Sequence, residues 1–235
     1  MKVGLLSDLH GNHIALDAVL RAASDLQVEK LLCCGDYVGY YYHPDVIFSK
    51  LQSWEWHGVR GNHENLLEHW MSGNAAEKAF ISNKYGSGIE TASRMPEKYI
   101  NQISNLPESL ALKIQKKSVL LCHGSPWDLD YYVYPDAPKE DFERIFCLGF
   151  DLVVLGHTHY PLMVENRGAI IVNPGSVGQP RNGSLGAYWA IWDTDKNEIA
   201  LQCEEYDVTS VLEDCLERDP SVSYLRNVLT RGLHA

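Results

Sequence analysis

The sequence predicts an α/β fold in a single domain, with a parallel sheet in the first half of the chain and a second, at least partly antiparallel sheet in the second half. Two patterns point there. Up to about residue 105, short β-rich runs alternate with helix-period segments, the arrangement that right-handed β–α–β crossovers produce. Beyond it, strand-like runs follow one another with few helices between them. No Pro/Gly/Ser linker, charge block or internal repeat divides the 235 residues, and the whole chain reads as one domain.

The elements follow in order. Lys2–Ser7 is a compact apolar run and the first strand; in Asn12–Leu26, Ala15, Val19, Ala22 and Leu26 share one helical stripe. Lys30–Gly35 is the second strand, Pro44–Leu51 a short helix and His57–Gly61 the third strand. Residues 64–105 are largely helical, broken near Gly86 and Gly88. Strands are then expected at Leu110–Ile114, Ser118–Cys122, Leu152–Leu155, Ala169–Asn173, Ala187–Trp192 and Glu198–Glu204, with a helix at Glu140–Cys147 among them. Two helices close the chain, Thr209–Glu217 and Pro220–Thr230. For the last, Asp219 suits the N-cap, Pro220 the first turn and Gly232 the stop.

Composition removes several functional classes. With 45% hydrophobic and 22% charged residues, the chain is neither disordered, collagen-like nor a coiled coil. Acidic residues number 31 against 20 basic, a net charge of −11. That charge disfavours long nucleic acids, which need a basic stripe to displace counterions. No run approaches the ~18 apolar residues of a membrane span, and none resembles a signal-peptide core. The six cysteines (33, 34, 122, 147, 203 and 215) lack CxxC spacing and are expected to be buried thiols. The expected compartment is therefore the cytoplasm.

The polar residues least suited to a core stand where the strands end. They are Ser7-Asp8-Leu9-His10-Gly11-Asn12, Gly35-Asp36-Tyr37, Arg60-Gly61-Asn62-His63-Glu64, Cys122-His123-Gly124-Ser125-Pro126 and Gly156-His157-Thr158-His159. In open α/β sheets, ligands collect beyond the carboxyl ends of the strands. Asp8-x-His10 and His157-x-His159 each set two ligand-capable side chains on one side of an extended segment. Singly, either pair also fits a structural or surface role, Gly35-Asp36 a plain turn and Asn62-His63 a helix cap. Jointly they say more: His10, Asp36 and Asn62 recur every 26 residues, the period of successive βα units along one sheet crest. Two carboxylates, four histidines and an Asn oxygen suit manganese, iron, nickel or zinc. Calcium and magnesium prefer all-oxygen shells.

These five segments resemble the motif set of the calcineurin-like metallophosphoesterases, nearest the compact prokaryotic branch described as phosphodiesterases or diadenosine tetraphosphate hydrolases. The likeness extends to Gly35-Asp36-Tyr37-Val38-Gly39-Tyr40, to Asn173-Pro174-Gly175-Ser176-Val177-Gly178-Gln179-Pro180-Arg181 and to the paired final helices. It implies a four-layer α/β/β/α sandwich of two facing mixed sheets and two divalent metal ions. Asp8, His10, Asp36 and His159 would hold one ion, and Asp36, Asn62, His123 and His157 the other, with Asp36 bridging. The implied reaction is hydrolysis of a small phosphodiester or dinucleoside polyphosphate by in-line attack of a metal-bridging hydroxide. His63 would protonate the leaving oxygen or stabilise the phosphoryl charge. Two such ions leave the site cationic within an acidic protein, so a small phosphate ester or nucleotide is admitted where a long nucleic acid is not.

Around this set, Glu64 either orients His63 or is an ordinary first-turn acid. Asn12 and Gly11 begin a helix whose free amides favour phosphate oxygens, or they are plain turn and cap. Arg181 resembles a family arginine able to grip phosphate. Tyr40, with Tyr41 and Tyr42, either lines a substrate pocket or packs. After Gly39-Tyr40 the chain departs from the branch, which carries a Gly-Pro-containing stretch there. Cys122 is expected to point away from the ligands, and His13, His57, His69 and His234 to be surface or core residues. Alternatives remain: a phosphomonoesterase or protein phosphatase, although the Asp-Arg-Gly element of the latter is replaced here by Gly39-Tyr40-Tyr41, and a non-catalytic scaffold, although every ligand is retained. The superfamily's nucleases carry capping segments for which this chain has no room.

Overall fold

The computed structural model describes residues 1–231; Gly232 and His234 lie outside the described residues. The first half alternates as expected: β1 (Lys2–Leu6), α1 (His13–Asp25), β2 (Lys30–Cys34), α2 (Pro44–Leu51) and β3 (Trp56–Val59). The long helical stretch resolves into α3 (Asn62–Ser72), α4 (Ala75–Tyr85), α5 (Gly88–Ala92) and α6 (Glu97–Ser104). Asn74 restarts the chain as the cap of α4, accepting from the Ala76 and Glu77 amides. There follow β4 (Ser109–Ile114), β5 (Lys117–Cys122), α7 (Lys139–Phe146), β6 (Leu152–Val154), β7 (Leu162–Asn166), β8 (Ala169–Asn173), β9 (Ala187–Asp193), β10 (Glu198–Glu204), α8 (Thr209–Arg218) and α9 (Ser223–Thr230).

Two five-stranded mixed sheets form, in the orders β10-β9-β1-β2-β3 and β4-β5-β6-β8-β7. β1, β2 and β3 are parallel in the first; β5, β6 and β8 are parallel in the second. The sheets face each other across a core in which Val3, Leu5, Leu32 and Val59 meet Val119, Leu121, Val154 and Val172. On alternate positions, Leu6 and Leu31 face α1, α2 and the α3–α6 helices, and Leu120, Cys122 and Val153 face α7. The layers are thus α/β/β/α, and Cys122 points away from the site as expected. α8 and α9 pack over Tyr40, Tyr41 and Tyr42.

Several expectations need correction. β9 and β10 do not extend the second sheet: the chain returns to the first, where β9 pairs antiparallel with β1 through Val3–Trp192 and Leu5–Ala190. β7 was not foreseen; it is an edge strand with a mostly exposed face, so its apolar signal is weak. α9 begins at Ser223, and Asp219 does not cap it. The Asp219 carboxylate instead accepts from the Tyr42 hydroxyl (2.8 Å) and from the Ser87 amide and hydroxyl (2.8 and 2.9 Å), tying the last helices to the tyrosine loop. Of the six free cysteines, Cys147 and Cys203 are exposed rather than buried. No helix among the described residues is long and apolar enough to cross a membrane.

Candidate metal centre

The carboxyl ends of β1, β2 and β3 in one sheet and of β5 and β6 in the other open onto one spot, and all five polar segments meet there. Reversing the chain sharply at each strand end places Asp8, His10, Asp36, His157 and His159 in the left-handed region, with φ of 54°, 48°, 56°, 66° and 62°. That conformation costs a residue bearing a Cβ about 1–2 kcal/mol. Glycines admit the close approaches: a Cβ on Gly61 would stand 2.2 Å from Asp36 Oδ1, and one on Gly39 (φ 89°) 2.0 Å from His63 Nδ1.

Two donor groups result. Asp8, His10, Asp36 and His159 bring one ligand atom each within 4.8 Å of one another, as do Asp36, His123 and His157. Asn62 joins the second group, its Oδ1 3.0 Å from His123 Nε2. Asp36 is common to both: its Oδ2 lies 3.6 Å from His10 Nε2 and 3.4 Å from His123 Nε2. Asp8, Asp36 and the four histidines are buried.

Hydrogen bonds to main-chain oxygens decide which ring nitrogens are free. A carbonyl only accepts, so the nitrogen facing it carries the proton and the other nitrogen presents a lone pair. His10 Nδ1 donates to Val38 O (3.1 Å), His123 Nδ1 to Cys34 O (2.6 Å), His159 Nδ1 to Gln179 O (2.5 Å) and His157 Nε2 to Asp130 O (3.2 Å). In their neutral forms, His10 Nε2 and His159 Nε2 then point lone pairs at each other across 3.1 Å. His123 Nε2 and Asn62 Oδ1 do the same across 3.0 Å. Asp8 Oδ1, 3.2 Å from His159 Nε2, is buried with no aligned hydrogen bond. Facing acceptors repel unless a cation lies between them, and this donor set, mixed imidazole nitrogen and carboxylate or amide oxygen, fits borderline divalent ions.

The titration behaviour agrees with such a site. Burial raises the Asp8 and Asp36 carboxyls, but the surrounding histidines, His159 for Asp8 and His123 for Asp36, hold both well below the usual range. Burial depresses His123, yet the Asp36 charge and hydrogen bond, with Asp8, lift it to about 10. That nitrogen favours a positive charge, which a proton or a metal ion can supply. His10 is held low, and His157 near 4, chiefly by burial.

His63 stands beside the groups, its Nε2 4.0 Å from Asp36 Oδ2. Its amide donates to Asp36 Oδ1 (2.9 Å), and its Nδ1 is buried without a partner. Glu64 neither orients His63 nor serves only as a first-turn acid. Its carboxylate accepts from the amides of Asp36 (2.9 Å), Tyr37 (2.9 Å), Val38 (3.2 Å) and Gly61 (2.7 Å), clasping the Asp36 loop to the start of α3. Burial and the Asp36 charge push its pKa up to about 7, opposed by those amides.

Arg181 reaches the site: its Nη2 donates to Tyr40 Oη (3.0 Å) and Gln179 Oε1 (3.2 Å), and its Nε is buried and unpartnered. Tyr40 packs edge-on against His10 at 4.6 Å. Tyr41 and Tyr42 are packing residues, bonded to Leu225 O and Asp219. Asn12 is not brought to the pocket. Its Oδ1 caps α1 at the Ala15 amide and its Nδ2 donates to Gly178 O (2.9 Å) and Tyr206 Oη (3.0 Å), while the Gly11 and Asn12 amides donate to Tyr37 O (2.9 Å) and Leu9 O (3.0 Å), so neither amide is free for a phosphate. Two neighbours were missed, Tyr85 and Tyr132, which with His63 and Arg181 wall a pocket of about 50 Å³. They arrive from α4 and a long loop, where no motif marks them.

A sequence model of the calcineurin-like phosphoesterase superfamily domain matches residues 1–197. An uncharacterised protein of Methanocaldococcus jannaschii is 28% identical over 233 residues, covering 90% of each chain. A phosphodiesterase of the same organism is 24% identical over 205 residues, 84% of this chain and 96% of the relative. Among solved structures, a metallophosphoesterase from Sphaerobacter thermophilus superposes with a TM-score of 0.81 at 25% identity, covering 99% of each chain. A hypothetical protein from Pyrococcus horikoshii OT3 gives 0.82 at 22% identity, covering 98% of each, and shares the fold. Because the family match runs from β1 through β9, across every segment that meets at the donor groups, the chain belongs to the calcineurin-like phosphoesterase superfamily.

Proposed function

We propose that this metal-dependent phosphoester hydrolase cleaves small phosphodiesters or dinucleoside polyphosphates at the paired donor groups. The observation that carries the reading is the sharing of Asp36 between two sets of facing acceptors. Asp8, His10, Asp36 and His159 would hold one divalent ion, of manganese, iron, nickel or zinc, and Asp36, Asn62, His123 and His157 the other. Two such ions supply Lewis acidity, lowering the pKa of water and neutralising phosphoryl charge.

The rest falls to the side chains. The main-chain bonds to His10, His123, His157 and His159 hold each ring in the tautomer that frees its inner nitrogen. Burial holds His63 near pKa 4, opposed by Asp36, and the negative charge of a bound phosphate pulls it upward. Protonated as a result, the His63 imidazolium would donate its proton to the departing oxygen and return to neutral imidazole. Arg181, oriented by Tyr40 and Gln179, lines the pocket and would offer its guanidinium to a phosphoryl oxygen. Tyr40 acts through that arginine.

Metal analysis combined with turnover of bis(p-nitrophenyl) phosphate and p-nitrophenyl phosphate tests this reading and separates a diesterase from a monoesterase. His63→Ala is expected to keep both ions and lose turnover by about 10²–10⁴-fold. Metal-loaded protein inert toward every phosphate ester refutes the function, and loss of metal in His63→Ala refutes the role of that residue.

A further inference from the structure

We propose that Tyr132, Tyr134 and Tyr160 form a subsite for the planar aromatic group of the substrate, a nucleobase or an aryl ring, whose phosphoryl group lies at the metal centre. The inference rests on the phosphoesterase reading and adds to it the class of group that phosphate must carry. The pocket beside the donor groups measures about 50 Å³, far below the ~300–1,000 Å³ of sites that enclose a whole small ligand. It has room on the scale of a phosphoryl group, so the organic part of any ester lies outside it.

One wall of that pocket continues outward as an aromatic strip. The Tyr132 ring lies 4.0 Å from the His157 ring at 31°. Tyr134 is stacked on Tyr132 at 5.6 Å and 6°, and Tyr160 stands edge-on to Tyr134 at 5.6 Å and 74°. Beyond Tyr132, Tyr134 and Tyr160 border a cleft of about 620 Å³ with Pro135 and Asp136. Tyr132 and Tyr134 are 46% and 36% exposed, so these rings are not filling a core.

The loop is built to show them. Val133 between them is 1% exposed and anchors the segment beneath α7, leaving its neighbours to project the other way. Asp130 O accepts a hydrogen bond from His157 Nε2 (3.2 Å), so the loop is tied to a candidate ligand of the centre. These tyrosines already pair with one another within the roughly 4.5–7 Å centroid spacing of aromatic contacts, and a flat group leaving the pocket past His157 extends that strip over its exposed surface at Tyr134 and Tyr160. The cleft is bordered by the Asp136 carboxyl and, among the described residues, by no Lys or Arg, so this side suits a base or aryl ring rather than a polyphosphate tail.

The test uses manganese-loaded protein, with AMP and inorganic phosphate as equilibrium ligands and bis(p-nitrophenyl) phosphate as the reporter of turnover. Tyr134 is varied because it touches neither a metal ligand nor the 50 Å³ pocket. Wild type is expected to bind AMP about tenfold or more tightly than phosphate, within the range of base–aromatic stacking. Tyr134→Ala should remove most of that preference, raise KM for the aryl diester with kcat little changed, and leave phosphate affinity and metal content intact; Tyr134→Phe should restore it. An effect on the aryl diester alone identifies an aryl group as the occupant, and an effect on AMP as well identifies a base. An unchanged AMP-to-phosphate ratio together with unchanged KM in Tyr134→Ala overturns the subsite while leaving the phosphoesterase reading in place. A Tyr134-dependent AMP preference in a protein that hydrolyses no ester does the reverse.

Discussion

Glu64→Gln isolates the clasp on the Asp36 loop. The wild-type carboxylate accepts four main-chain hydrogen bonds at 2.7–3.2 Å and is fully buried. An amide keeps one carbonyl oxygen and turns an NH₂ toward the other pair of amides, so two bonds are lost and donors face donors. At a pH well above its pKa of about 7 the Glu64 carboxyl is ionised, and hydrogen bonds to a charged group contribute about 1.5–3 kcal/mol each, which sets the loss there at roughly 3–6 kcal/mol. For a chain of this length each kcal/mol moves Tm by about 2–4 °C, so even the lower figure gives a fall of about 6–12 °C. Because Asp36 and the Gly61 turn before Asn62 are what the carboxylate holds, metal affinity should drop about 10–100-fold. Glu68→Gln on the same helix is the control: its exposed pair with Arg60 contributes about 0–1 kcal/mol. Differential scanning calorimetry and metal titration measure both quantities. A Glu64→Gln protein within 1 kcal/mol of wild type refutes the clasp, and one that is destabilised but binds metal normally refutes its link to the centre.

Three further outcomes are expected. Asn12→Ala should lose about 1–3 kcal/mol through its cap and its two buried hydrogen bonds, with KM unchanged, because Asn12 does not reach substrate; thermal denaturation beside steady-state kinetics decides this. Removing metal with a chelator should lower Tm by about 5–10 °C relative to protein held at 100 times the metal's Kd, since binding at that ratio contributes about 2.7 kcal/mol. Thiol titration of the native protein should find Cys147 and Cys203 first. Burial pushes Cys33, Cys34 and Cys122 well up, and Cys215 to about 11, so these four should react only on unfolding.

Much of the architecture was legible because chain reversals and strand periods are local. The donor segments stood out as Asp, His and Asn placed just past apolar runs, where no core could use them. Partner choice was not local. Nothing in Ala187–Asp193 says that it pairs with β1 rather than with its predecessors, and the edge strand Leu162–Asn166 buries too little to show a period. From sequence Glu64 reads as either a partner of His63 or a first-turn acid, because its actual partners at Asp36–Val38 lie 26–28 residues away. Asp219 suits a cap in sequence for the same reason, its partners being the distant Tyr42 and Ser87. Tyr132 and Tyr134 gain meaning only once the fold carries their loop to His157.

The left-handed backbone at Asp8, His10, Asp36, His157 and His159 has an evolutionary reading. At each of these positions glycine would relax the chain, and most random drift would be free to accept it, because a stabler fold survives more mutations elsewhere. All five are still present in this sequence. Each of the five thus sets a donor side chain on backbone that glycine would fit more easily, so local stability is given up at the positions that meet at the centre.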